Sequence, residues 1–125
     1  MKKQKKLKAF GYVRVSTKMQ VEEGFSLANQ QREIEEYAEG NKMKLVKIYV
    51  DAGKSGKNIT GRPQFMEMLQ AIQNGADVDY VIINTLTRFG RNAADSTNAL
   101  QILDDYNVNL YCIQEHLDSF GIGKT

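Results

Sequence analysis

Arg14 and Ser16 stand two residues apart at the end of an apolar run, Tyr12-Val13-Arg14-Val15-Ser16-Thr17. In an extended chain residues i and i+2 point the same way, so a guanidinium and a hydroxyl share one side. A second polar stretch runs from Asp51 through Ser55 and Gly56 to Arg62 and Pro63, and a third from Asn84 through Thr87, Arg88 and Arg91 to Asn92. The chain has five arginines, at 14, 32, 62, 88 and 91, and four of them fall in these three stretches. Arg88 and Arg91 precede an expected helix start, where the positive end of the helix dipole opposes cations unless an anion is shared. Phosphate is the natural anion, because a guanidinium fork donates two parallel hydrogen bonds to it and keeps its proton. A hydroxyl among fixed guanidiniums suits phosphoryl transfer, in which arginines oppose the charge of the transition state and no metal is required.

Each of these residues also has an ordinary structural reading. A lone serine after a strand commonly caps a helix or closes a turn, and Arg14 and Arg62 are natural surface partners for the glutamates of the first helical segment. Four convergent arginines argue against that reading. Gln30 and Gln31 lie between Leu27 and Ile34 on an apolar stripe, where a polar side chain either needs a partner or marks the boundary of the core. Cys112, inside a strand, and His116, alone after it, are expected to be structural, since no second cysteine or histidine exists to complete a zinc site or a Cys/His pair. Neither Gly56-Lys57 nor Gly123-Lys124-Thr125 satisfies a phosphate-loop pattern, because aspartate occupies the required first glycine position in both.

The elements that must carry these residues alternate. Apolar runs rich in β-branched and aromatic residues predict strands at Ala9–Val15, Leu45–Val50, Tyr80–Ile83 and Asn109–Ile113. Helical spacing appears between them in Leu27, Ile34 and Ala38, in Phe65, Leu69 and Ile72, and in Ala93, Thr97, Leu100 and Leu103. Gly40-Asn41, Asn74-Gly75 and Asn107 mark helix ends, and Pro63 marks a start. The order β-α-β-α-β-α-β favours an α/β fold with a mainly parallel sheet of about four strands and helices on both faces. The strand order is not legible. In such a sheet function collects beyond the carboxyl ends of the strands, where the three polar stretches begin.

A chain of 125 residues with 42% apolar content closes one core, so a single domain over 1–125 is expected. Five lysines at 2, 3, 5, 6 and 8 outweigh the net charge of +2 and leave −3 for the remainder. Residues 1–8 are therefore expected to form a basic, solvated tail, and the body is not a basic nucleic-acid surface. One cysteine, no membrane-length apolar run and no signal-like start favour a cytoplasmic setting without membrane association. The glycine-rich end, 118–125, reads as a chain cut short of a closing element.

Together these segments resemble the serine recombinases: resolvases, DNA invertases, and the large serine integrases and transposases. Gly11 through Thr17 is similar to the nucleophile motif of that family. Phe25-Ser26-Leu27 with Gln30-Gln31 resembles the next block, Asp51 through Gly56 the third, and Thr85 through Arg91 the arginine block. The longer segment from Val21 to Gln30 is similar to that of the large recombinases. The resemblance implies that Ser16 attacks a DNA phosphodiester to give a 5′-phosphoserine intermediate. It implies that Arg14, Arg62, Arg88 and Arg91 bind the scissile phosphate, that Gln30, Asp51, Ser55 and Thr87 are supporting positions, and that no cofactor or metal takes part. It also implies double-stranded DNA sites as partners, and a dimer or tetramer of the full-length protein built on a long helix downstream. Thr87 departs from the aspartate common there, which leaves a second reading, an inactive assembly or regulatory module, and the sequence names no general base for Ser16.

Overall fold

The computed structural model describes residues 6–15, 26–52, 63–85 and 93–118. The first strand, β1 (Lys8–Val15), is followed by α1 (Leu27–Gly40), β2 (Lys44–Ala52), α2 (Pro63–Gln73), β3 (Tyr80–Ile83), α3 (Ala93–Asp105), β4 (Asn109–Cys112) and β5 (Leu117–Asp118). The sheet order is β2-β1-β3-β4-β5, with the first four strands parallel and β5 antiparallel to β4. The expected α/β fold with about four parallel strands is therefore what forms. The two-residue β5 is an addition, too short for any periodicity to announce it. It follows a turn in which His116 takes the left-handed φ of 55°.

Strand β1 lies between β2 and β3 and is covered on both faces, which is why nearly all of it is buried. Its alternate residues serve two separate cores. Ala9, Val13 and Val15 pack with Ile34 and Ala38 of α1 and Ile82 of β3. Phe10 and Tyr12 face the other way, into a cluster with Phe65, Met68, Leu69 and Ile72 of α2 and Ala99 and Leu103 of α3. One helix thus covers one face and two helices the other, as a parallel sheet requires to bury both sides.

Helix ends fall where the sequence marked them. Ser26 accepts a hydrogen bond from the Asn29 amide at 3.1 Å and caps α1. At the opposite end the Asn41 amide donates to the Tyr37 carbonyl, and its side-chain Nδ2 does the same at 2.9 Å. Gly75 and Asn107, after α2 and α3, take φ of 96° and 60°, the left-handed conformation that stops a helix and that Gly and Asn tolerate best. At the amino edge, Asp79 accepts from the Lys8 and Asn109 amides at 2.9 Å each and donates its own amide to the Lys8 carbonyl at 2.7 Å, tying the starts of β1, β3 and β4.

Gly11 sets the distance of α1 from the sheet. A Cβ on it would lie 2.9 Å from Cγ2 of Ile34 and 3.1 Å from Cγ1 of Ile48. Ile34 is fully buried and has no room to withdraw. Gly11→Ala is therefore expected to lower stability by about 1–3 kcal/mol, the usual range for overpacking a filled core. Urea unfolding measures it; an unchanged midpoint would show that α1 can shift outward freely.

Candidate active site

Arg14 occupies the penultimate position of β1 and pairs in register with Asp51 at the end of β2. By alternation it follows Phe10 and Tyr12 on the face covered by α2 and α3, and it is half-buried. Asp51 is 3% exposed, a burial that carboxylates tolerate only with partners. Its Oδ2 accepts from the Tyr12 hydroxyl at 2.8 Å and from the Phe65 amide at 3.0 Å, and its Oδ1 accepts from the Gln64 amide at 2.9 Å. The Tyr12 and Phe65 rings pack with centroids 4.9 Å apart.

Asp51 is thus an N-terminal cap of α2 supplied from another element. It satisfies two orphan amides of the first turn and places negative charge at the positive end of the helix. Pro63 suits that start because its fixed φ and missing N–H cost nothing at the first helical position. Tyr12 was not among the residues singled out as candidates. The signal available in sequence is its parity with Arg14, which puts a phenol beside a guanidinium on one side of the strand.

Gln30 lies across the sheet, in the early part of α1 on the face of Val13 and Val15. It is 2% exposed, and neither its Nε2 nor its Oε1 has a hydrogen-bond partner. Leaving a buried polar group unsatisfied costs about 1–3 kcal/mol, and among the described residues nothing offsets that cost for the Gln30 side chain. Gln31, its neighbour, is half-buried. Asn84, just beyond β3, is 1% exposed; its Nδ2 donates to the Gln30 carbonyl at 3.2 Å and to Oε1 of Glu33 at 2.8 Å. Sequence reasoning passed over Asn84, although a polar residue ending an apolar strand was there to be noticed.

Arg14 and Asp51 therefore adjoin on one side of the sheet's carboxyl edge, whereas Gln30 belongs to the other side. Ser16, Ser55, Arg62, Thr87, Arg88 and Arg91 lie outside the described residues. Among the described residues no three His, Cys, Asp or Glu side chains converge as metal ligands, and no helix is long and apolar enough to cross a membrane.

Cys112 is fully buried, and burial, with a smaller contribution from Glu115, pushes its thiol up to about 12. It is a protonated core residue at neutral pH, in keeping with the structural role expected for it. Burial and then Glu67 likewise raise the Tyr49 hydroxyl.

A family model described as Resolvase, N terminal domain, matches residues 9–121. The Tn2501 transposon resolvase of Escherichia coli is 31% identical over 106 residues, which are 85% of this chain and 50% of that protein. The chain thus spans half the length of that relative. Among solved structures, a resolvase family site-specific recombinase from Streptococcus pneumoniae superposes with a TM-score of 0.81 at 47% identity, covering 91% of this chain and 76% of that one. The N-terminal catalytic domain of TP901-1 integrase superposes with a TM-score of 0.76 at 26% identity, covering 94% and 85%.

Two outcomes are expected from this geometry. Asp51→Ala strands two amides and a hydroxyl and should cost about 2 kcal/mol or more, against about 1 kcal/mol for Tyr12→Phe, which removes one donor; chemical denaturation of both variants checks the order. The raised Cys112 thiol keeps in the folded chain a proton that the unfolded chain releases near its ordinary value of 9.0. Its contribution to stability is complete below that pH and is lost as pH climbs towards about 12. Unfolding free energies measured across this range should therefore fall less steeply in Cys112→Ala than in wild type, the shared contribution of Tyr49 cancelling in the comparison.

Proposed function

The chain belongs to the resolvase family of serine recombinases, and from that premise we propose that it is the catalytic part of a site-specific DNA recombinase with Ser16 as nucleophile. The observation that supports it most is the family match over residues 9–121, which takes in every stretch where arginine and hydroxyl residues follow a strand. Double-stranded DNA is the substrate. With Lys8 part of β1, taking Lys2, Lys3, Lys5 and Lys6 from the net +2 leaves −2 for the rest of the chain, which puts most of the affinity for DNA in elements beyond these residues.

In the proposed reaction Ser16 Oγ forms a bond to phosphorus while the bond from phosphorus to the 3′ oxygen breaks. The 3′ hydroxyl leaves with a proton, and the 5′ phosphate stays on the serine. The ester bond is conserved, so the 3′ hydroxyl of a new partner strand reverses the step and reseals DNA without ATP. Arg14, Arg62, Arg88 and Arg91 oppose the charge gathering on the phosphoryl oxygens. Asp51 serves indirectly: it anchors the first turn of α2 through the Gln64 and Phe65 amides, just after Arg62 in sequence, and pairs in register with Arg14. Gln30 brings an amide with free hydrogen-bonding capacity, and Ser55 and Thr87 are further supporting positions.

Ser16→Ala in the full-length protein should abolish covalent protein–DNA adducts, resolved on denaturing gels, while DNA binding persists. An adduct that survives moves the nucleophile to another serine, Ser55 first. Total absence of adduct from wild type on nicked or suicide sites would favour a non-catalytic assembly module instead. Arg88→Ala should slow cleavage by roughly 100-fold or more without lowering the melting temperature. Arg88→Lys should rescue poorly, because an ammonium lacks the bidentate fork; loss of stability with normal cleavage would make Arg88 a structural ion-pair residue.

A further inference from the structure

Asn84 is held on both sides. Its backbone carbonyl accepts from the Gln114 amide at 2.8 Å, beyond the end of β4, and its side chain reaches in the opposite direction to α1. There Nδ2 donates to the Gln30 carbonyl, an atom already inside the helical hydrogen-bond ladder, and to the Glu33 carboxylate one turn further on. A bond to a charged acceptor is about twice as strong as a neutral one. Three elements are thereby joined at one buried residue.

The same cluster contains three buried polar atoms with no partner: Oδ1 of Asn84 and both amide atoms of Gln30. A cluster evolved only to hold α1 on the sheet would pair these amides with each other. Instead the donor of Asn84 is spent on the Gln30 backbone, and the Gln30 side chain is left whole. What the bond secures is the place of Gln30 relative to the exit of β3, and the chain runs from that exit to Thr87 in three residues and to Arg88 in four.

Resting on the recombinase reading above, we propose that Asn84 is a positioning residue for strand cleavage, acting through its bonds to Gln30 and Glu33. It fixes the Gln30 backbone, from which the side-chain amide projects, and the exit of β3 against α1. Asn84 touches neither DNA nor the reacting atoms in this role.

The test uses Asn84→Asp in the full-length protein. An aspartate of the same shape has no donor and would face the Glu33 carboxylate and the Gln30 carbonyl with like charge. The single-turnover rate of adduct formation at saturating DNA should fall roughly 10- to 100-fold, the scale of an ångström of misplacement, while the DNA dissociation constant changes by no more than about twofold. Glu33→Gln combined with Asn84→Asp puts a donor on α1 opposite an acceptor on β3, and should recover most of the rate. If Asn84→Asp does not fold, Asn84→Ala gives the same reading, since half-buried Glu33 can then turn to water. Cleavage at the wild-type rate in either folded single variant overturns the proposal, as does a double variant that melts like wild type yet stays slow. Absence of adduct from wild type itself overturns the recombinase reading and this proposal with it, and so is distinguishable from failure of the clamp alone.

Discussion

A carboxylate almost wholly removed from water, Asp51, joins three elements that are distant in sequence. Its two oxygens take a phenol from β1 and two amides from α2, and it is itself the penultimate residue of β2. Stranding such a group would cost several kcal/mol, and satisfying it makes the start of α2 a fixed point relative to the central strand. The register that sets Arg14 opposite Asp51 carries the same constraint across the sheet. Among the described residues, the end of β1 and the start of α2 are held to β2 through this one group.

The α1 side is located by packing. Gly11 lets Ile34 approach β1 to a distance that any side chain would forbid, and Asn84 then pins the early turns of α1 over the end of β3. A central strand buried on both faces has one set of alternate residues for each helix layer, so the two halves of the candidate site are built independently. A substrate recognised by Arg14 and by Gln30 together must therefore straddle the sheet edge.

Local rules are followed at the helix ends and broken at that edge. Caps, left-handed stops and apolar stripes agree with the fold throughout, whereas unsatisfied amide atoms collect at Gln30 and Asn84. Consistency elsewhere makes such exceptions informative, because a fold tolerates polar groups without partners mainly where they serve a ligand. Cys112 shows the contrasting case, a potentially reactive group silenced by complete burial in β4.

Element types and their order were set by the sequence alone, because period-2 and period-3.6 apolar patterns and the residues that stop helices are local properties of the chain. Strands matched to within two residues, and Gly75, Asn107 and Pro63 fell where helices stop and start. The places of Arg14 and Asp51 near strand ends were legible for the same reason. Tertiary structure decided the order β2-β1-β3-β4-β5, the pairing of β5, and the partners of every buried polar group. Asp51 looked like a loop residue until a helix 13 residues on supplied its donors, and Asn84 like a strand end until α1 placed an acceptor 51 residues back. No short-range pattern records such meetings, because hydrogen bonds between distant segments depend on how faces are stacked, and stacking is set by the whole core at once.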